Sequence, residues 1–89
     1  MPDGRSALVD VVAAHWMSLL KKDSIAPDDN FFFEGGTSLL AMRLVAAVKK
    51  ELNNAVAVRW IFDNPTFAGF VRVLESELRP TGLNQHEKA

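Results

Sequence analysis

The sequence predicts an all-α fold, a small four-helix bundle of three main helices and one short one. Three observations carry this. Apolar residues recur at helical spacing in three separate segments, polar or proline-containing punctuation falls at the ends of those segments, and no candidate strand has a visible partner. The 89 residues are enough for one domain, and 48% apolar content argues for a packed core rather than a disordered chain. A chain of this size buries only about 60–65% of the surface it exposes when unfolded, so modest stability is expected.

The first helix is expected from Ala7 to Lys21. Leu8, Val9, Val12, Trp16, Leu19 and Leu20 fall on one side and Asp10, Ser18 and Lys21 on the other, with Ser6 as N-cap. His15 borders the apolar stripe and reads as an ordinary boundary residue. Asp23 to Thr37 reads as loop, since it holds Pro27, Asp28, Asp29, Asn30 and the pair Gly35-Gly36. So long a connection is uncommon in a small domain and must be tied down by its own apolar residues. Ile25, Phe31 and Phe32 can do this, with Phe32 expected to be a buried tie.

The second helix is expected from Ser38 to Leu52, with Leu40, Ala41, Leu44, Val45, Val48 and Leu52 as its core stripe. Asn53-Asn54 supplies a stop, because asparagine tolerates the left-handed conformation at a helix end. Ala55 to Val58 is apolar and partly β-branched, which admits a strand; without a partner strand, a helical turn around Val58–Asp63 is the expectation. Asn64-Pro65-Thr66 reads as the start of the last helix, with a polar cap followed by proline near the first helical position. Phe67, Phe70, Val71, Leu74 and Leu78 line one face of that helix, and Arg79-Pro80 ends it. The expected domain spans 1–89, with a folded core over about 6–79 and a polar, flexible tail over 80–89.

Several function classes are disfavoured by composition. There are no cysteines, and His15 and His86 lie far apart, so neither disulfides nor a zinc site is expected. The net charge is −1 with lysines and arginines scattered, so no basic patch offers the phosphate affinity of a nucleic-acid binder. No apolar run approaches the ~20 residues of a membrane span. The N-terminal segment lacks the apolar centre of a signal peptide, so a cytoplasmic protein is expected. Lys21-Lys22 and Lys49-Lys50 read as solvated helix ends whose charge complements the dipole.

The chemistry-bearing stretch is Asp29-Asn30-Phe31-Phe32-Phe33-Glu34-Gly35-Gly36-Thr37-Ser38-Leu39-Leu40. Aromatics anchor it, two glycines bend it, and Ser38 sits where a helix begins. Ser38 admits three readings. As an N-cap, its oxygen would accept the N–H of Leu40 or Ala41. As a nucleophile it lacks a G-x-S-x-G context and would need His15 or His86 as base. As a modification site it has an exposed hydroxyl next to unpaired helix N–H groups, which favour a phosphate-bearing substituent.

This stretch resembles the attachment motif of peptidyl carrier proteins, the thiolation domains of nonribosomal peptide synthesis. The family pattern is roughly D-x-F-F-x-x-G-G-x-S-L, matched here by Asp29, Phe31, Phe32, Gly35, Gly36, Ser38 and Leu39. Trp16 and the segment Trp60-Ile61-Phe62-Asp63-Asn64-Pro65-Thr66 also look like the family's, so the resemblance covers nearly the whole domain. It departs at Phe33 and Glu34, where the family often has an acidic residue then leucine, and at Thr37, where many members have histidine or aspartate.

The resemblance implies a four-helix bundle of acyl carrier protein type with no catalytic residues and no metal site. It implies that Ser38 bears 4′-phosphopantetheine from coenzyme A, flanked by Gly35, Gly36 and Thr37. The arm's thiol then holds aminoacyl, peptidyl or acyl groups as thioesters. Implied partners are a phosphopantetheinyl transferase using Mg²⁺, an adenylation enzyme, and condensation, tailoring or thioesterase enzymes. Counting about 100° per residue, Leu39, Met42 and Ala46 lie opposite the core stripe, and with Arg43 they form the expected partner face. Trp60 and Phe62 are a further candidate contact. The second helix carries Arg43, Lys49 and Lys50 against Glu51, which fits the peptidyl branch better than the acidic fatty-acid branch. A free-standing monomer acting in trans is expected. The alternatives are a polyketide-type acyl carrier and an unmodified helical adaptor.

Overall fold

Among the described residues four helices in chain order carry the architecture: α1 (Gly4–Leu20), α2 (Ser38–Leu52), α3 (Arg59–Asp63) and α4 (Phe67–Glu77). The computed structural model describes residues 4–78; the expected stop at Arg79-Pro80 and the tail over 80–89 lie outside them. Helix α1 packs against α2 and α4, and the short α3 closes the gap between α2 and α4. Among the described residues no helix is long and apolar enough to cross a membrane.

The core forms where the apolar stripes meet. Leu8, Val12 and Trp16 of α1 are buried against Ala41, Leu44, Val45 and Val48 of α2 and Phe70, Val71 and Leu74 of α4. Ile61 is the buried residue of α3, and Val56 is buried just before it. Each fully buried large aliphatic chain, such as Leu44 or Ile61, stabilises the fold by about 1.5–3 kcal/mol. One buried group carries a cost: Trp16 Nε1 has no hydrogen-bond partner among the described groups.

Helix α1 starts earlier than expected. Ser6 lies inside it rather than capping it. No proline interrupts Gly4 to Ala7, and once a helix exists each added residue gains a hydrogen bond. Its C-terminal end is a left-handed turn at Lys21, φ 55, with Lys22 N–H donating to Met17 O at 2.9 Å. Helix α2 ends the same way at Asn53, φ 53, as the sequence predicts. The helical turn expected near residues 58–63 is present as α3.

The start of α4 needs correction. Asn64 does not cap it: its N–H donates to Trp60 O at 2.9 Å and closes α3 instead. Thr66 is the cap, accepting from Gly69 N–H at 3.1 Å, and Pro65 precedes the cap. The proline holds its neighbour out of helical conformation, which shifts the start to the next hydroxyl.

The connection from α1 to α2 is pinned twice. Phe31 is its fully buried anchor, edge-on to Trp16 with ring centroids 5.1 Å apart. Phe32, expected to be buried, is only half-buried; it sits edge-on to Phe31 and stacks on Phe62 of α3 at 5.4 Å. Backbone hydrogen bonds supply the second tie. Phe31 N–H donates to Pro65 O at 2.8 Å, Phe67 N–H to Asp29 O at 2.9 Å, and Ala68 N–H to Pro27 O at 2.9 Å. The loop is thus fixed against the α3–α4 junction, with Asn30 and Thr66 forming an isolated antiparallel bridge.

Candidate functional site

The site is built where this pinned loop turns into α2. Asn30 begins the turn, its Oδ1 accepting the N–H of Phe32 at 2.9 Å and of Phe33 at 3.1 Å. Glu34 N–H then donates to Asn30 O at 3.0 Å, and Gly36 N–H to Phe31 O at 2.8 Å. Gly35 has φ +113, in the region that favours glycine. Gly36 is required for a different reason: a β-carbon there would overlap the edge of the Phe31 ring. The two glycines therefore let the chain turn tightly over a buried aromatic and emerge at the surface.

Thr37 is the N-cap of α2, in extended conformation, with its Oγ1 accepting Leu40 N–H at 3.1 Å. This corrects the capping role considered for Ser38, which is the first helical residue. The consequence is chemical. The capping bond is supplied by Thr37, so the Ser38 hydroxyl is left exposed and makes no side-chain hydrogen bond among the described residues. Among the described residues no base is hydrogen-bonded to it. His15 Nε2 pairs with Glu51 Oε1 at 2.8 Å, and Glu51 is thirteen residues along α2 from Ser38, roughly 20 Å at 1.5 Å per residue. His86 lies outside the described residues.

The apolar residues expected at the surface are there. Leu39 is 57% and Met42 53% exposed, with Arg43 and Ala46 exposed beside them. Phe62 is 44% exposed, whereas Trp60 is half-buried and packs against the core. Phe33 is 88% exposed, which sequence reasoning did not anticipate. Lys22 also departs from the expected solvated helix end, pairing with Glu34 at 2.5 Å and Asp29 at 3.4 Å. Glu34 stands where the family pattern has an apolar residue, and that is the available signal for a partner of opposite charge.

The geometry suits a long, charged, flexible substituent on Ser38. Ser38 is exposed, a side chain at Gly35 three residues before it would meet open space, and the first turn of α2 directs positive potential toward the helix start. The comparisons agree with that chemistry. The family described as "Phosphopantetheine attachment site" matches residues 10–74. A linear gramicidin synthase from Brevibacillus parabrevis is 41% identical over 66 residues, 74% of this chain and 1% of that protein. A surfactin synthase from Bacillus subtilis is 35% identical over 72 residues, 81% of this chain and 6% of that protein. The chain therefore spans a few per cent of the length of such relatives. Among solved structures, BlmI, a type-II acyl-carrier-protein from Streptomyces verticillus involved in bleomycin biosynthesis, aligns with TM-score 0.77 and 28% identity over 85% of this chain and 92% of that one. A nonribosomal PCP domain aligns with TM-score 0.65 and 26% identity over 82% and 91%. With the fold, the motif and the span of the match in accord, the chain belongs to the phosphopantetheine attachment-site family, whose members carry a 4′-phosphopantetheine group.

Proposed function

We propose that Ser38 is the residue that bears 4′-phosphopantetheine, and that the domain carries aminoacyl, peptidyl or acyl groups during nonribosomal peptide synthesis. The observation that carries the first part is the exposed Ser38 at the first position of α2, whose hydroxyl has no side-chain hydrogen bond among the described residues because Thr37 supplies the cap. When bound, the group supplies a thiol on a long arm, on which carboxylic acids are held as thioesters. This chain's own residues do the rest. Ser38 Oγ attacks the pantetheine-side phosphorus of coenzyme A, the pyrophosphate P–O bond breaks to release adenosine 3′,5′-bisphosphate, and the serine proton passes to the transferase, since no base of the described residues bonds to Ser38. Gly35, Gly36 and Thr37 shape the approach, and the N-terminal turn of α2 stabilises the phosphodiester charge.

The partners are a phosphopantetheinyl transferase, an adenylation enzyme, and condensation, tailoring or thioesterase enzymes. They dock on Leu39, Met42, Arg43 and Ala46, with Phe62 and the edge of Trp60 as a second contact. The peptide-synthetase setting is supported by the identities with synthetases above and by the cationic residues Arg43, Lys49 and Lys50 on α2. The domain is a substrate of those enzymes. Incubation with coenzyme A, Mg²⁺ and a promiscuous transferase, followed by mass spectrometry, tests this. One added phosphopantetheinyl group is expected; an unmodified chain would support the adaptor reading instead.

A further inference from the structure

We propose that Lys22 is a positioning residue for the attachment loop, its ammonium tying Glu34 and Asp29 together so that residues 30–36, and with them Ser38, are held in the geometry a transferase meets. This rests on the reading of Ser38 given above.

The left-handed turn at Lys21 reverses the chain after α1 and brings Lys22 over the loop. The turn itself is closed by the backbone, with Lys21 N–H donating to Ser18 O at 3.3 Å and Lys22 N–H to Met17 O at 2.9 Å. Lys22 Nζ reaches Glu34 Oε1 at 2.5 Å and Asp29 Oδ2 at 3.4 Å. The side chains are 22%, 34% and 19% exposed for Lys22, Glu34 and Asp29, so these are partly solvated surface pairs that water screens, and their effect is expected to be local and modest.

The two carboxylates differ in what anchors them. Asp29 is fixed to the bundle, its Oδ2 accepting Ala26 N–H at 3.0 Å and its carbonyl accepting Phe67 N–H at 2.9 Å. Glu34 directly precedes the glycine pair. Its neighbours cannot hold the turn by packing, because Phe33 is 88% exposed and Gly35 has no side chain. The Lys22–Glu34 pair therefore adds a side-chain tie at Glu34 itself, beside the one that Asn30 Oδ1 makes by accepting Phe33 N–H. The Lys22 pKa is raised, first by its hydrogen bond to Glu34, as this tie requires.

The test compares wild type with Lys22→Met, Glu34→Gln, the double variant and Lys22→Arg. Amide exchange is measured on the unmodified proteins, and loading kcat/KM with coenzyme A and transferase. Each single neutral variant should speed exchange of the Glu34, Gly35 and Gly36 amides roughly two- to fivefold, as for loss of a partly exposed ion pair. Exchange at Leu44 and Val45 should not change, loading should fall by a similar factor, and the double variant should fall no further. Lys22→Arg should keep wild-type values. Unchanged loop exchange, equal acceleration in loop and α2, or additive losses in the double variant would each overturn the proposal. The exchange measurement does not depend on Ser38 being modified. A wild type that is never loaded would therefore sink the Ser38 reading while exchange still decides whether the tie exists.

Discussion

Gly36 lies directly on Phe31: a β-carbon at position 36 would overlap the Phe31 ring edge and fall 2.6 Å from the Phe31 carbonyl oxygen, to which Gly36 N–H donates at 2.8 Å. This contact joins the buried core to the surface turn that presents Ser38. Gly36→Ala must displace either the ring or the turn, at a cost of about 1–3 kcal/mol as for other overpacked sites. A lowered denaturation midpoint with an unchanged m-value is the expected readout. An unchanged midpoint would mean that the turn relaxes freely.

Phe31 and Phe32 are adjacent but unequal. Phe31 is fully buried against Trp16, so Phe31→Ala should cost about 3–5 kcal/mol. Phe32 is half-buried and meets only the rings of Phe31 and Phe62 among described aromatic pairs, so Phe32→Ala should cost less than half as much. Urea denaturation of the two variants checks the order, and equal losses would contradict it.

The cap of α2 separates stability from chemistry. Thr37→Ala removes the oxygen that accepts Leu40 N–H and should cost about 0.5–2 kcal/mol. Ser38→Ala removes no capping bond and should change stability by less than ~0.5 kcal/mol. Thermal melts of both variants are the measurement; a larger loss for Ser38→Ala would return the capping role to the serine.

The docking face should behave as a surface in the melt and as an interface in kinetics. Leu39→Ala, Met42→Ala and Arg43→Glu alter exposed positions, so each should shift stability by less than ~0.5 kcal/mol. Loading by the transferase or adenylation enzyme should nevertheless slow, because a few central apolar contacts can dominate an interface and a reversed charge disfavours the cognate partner. If all three load at the wild-type rate, docking lies elsewhere, and exposed Phe33 and Phe62 become the residues to change.

Periodicity makes the helices legible, because α1, α2 and α4 each bury one stripe and the stripe writes itself into the sequence. The exposed Leu39–Met42 face follows from the same geometry. What periodicity does not encode are bonds between segments distant in sequence. The hydrogen bonds from the 27–31 stretch to Pro65, Phe67 and Ala68 involve backbone atoms, which every residue possesses. That tie reduces the share of loop anchoring left to Phe32. The caps lie one residue before the serine at α2 and two residues after the asparagine at α4, since Thr37 and Ser38, or Asn64 and Thr66, offer the same kind of oxygen. Only backbone conformation decides between them: Thr37 and Thr66 are extended, while Ser38 is already helical. The Lys22–Glu34 pair spans twelve residues of loop and turn, beyond any regular spacing rule.

The most direct test of the account is tandem mass spectrometry of wild type and Ser38→Ala after incubation with coenzyme A, Mg²⁺ and a phosphopantetheinyl transferase. The account predicts one phosphopantetheinyl group on wild type, localised to the peptide containing Ser38, and none on Ser38→Ala with its melting temperature preserved. Modification of the Ser38→Ala chain, or localisation of the group to another residue, would contradict it.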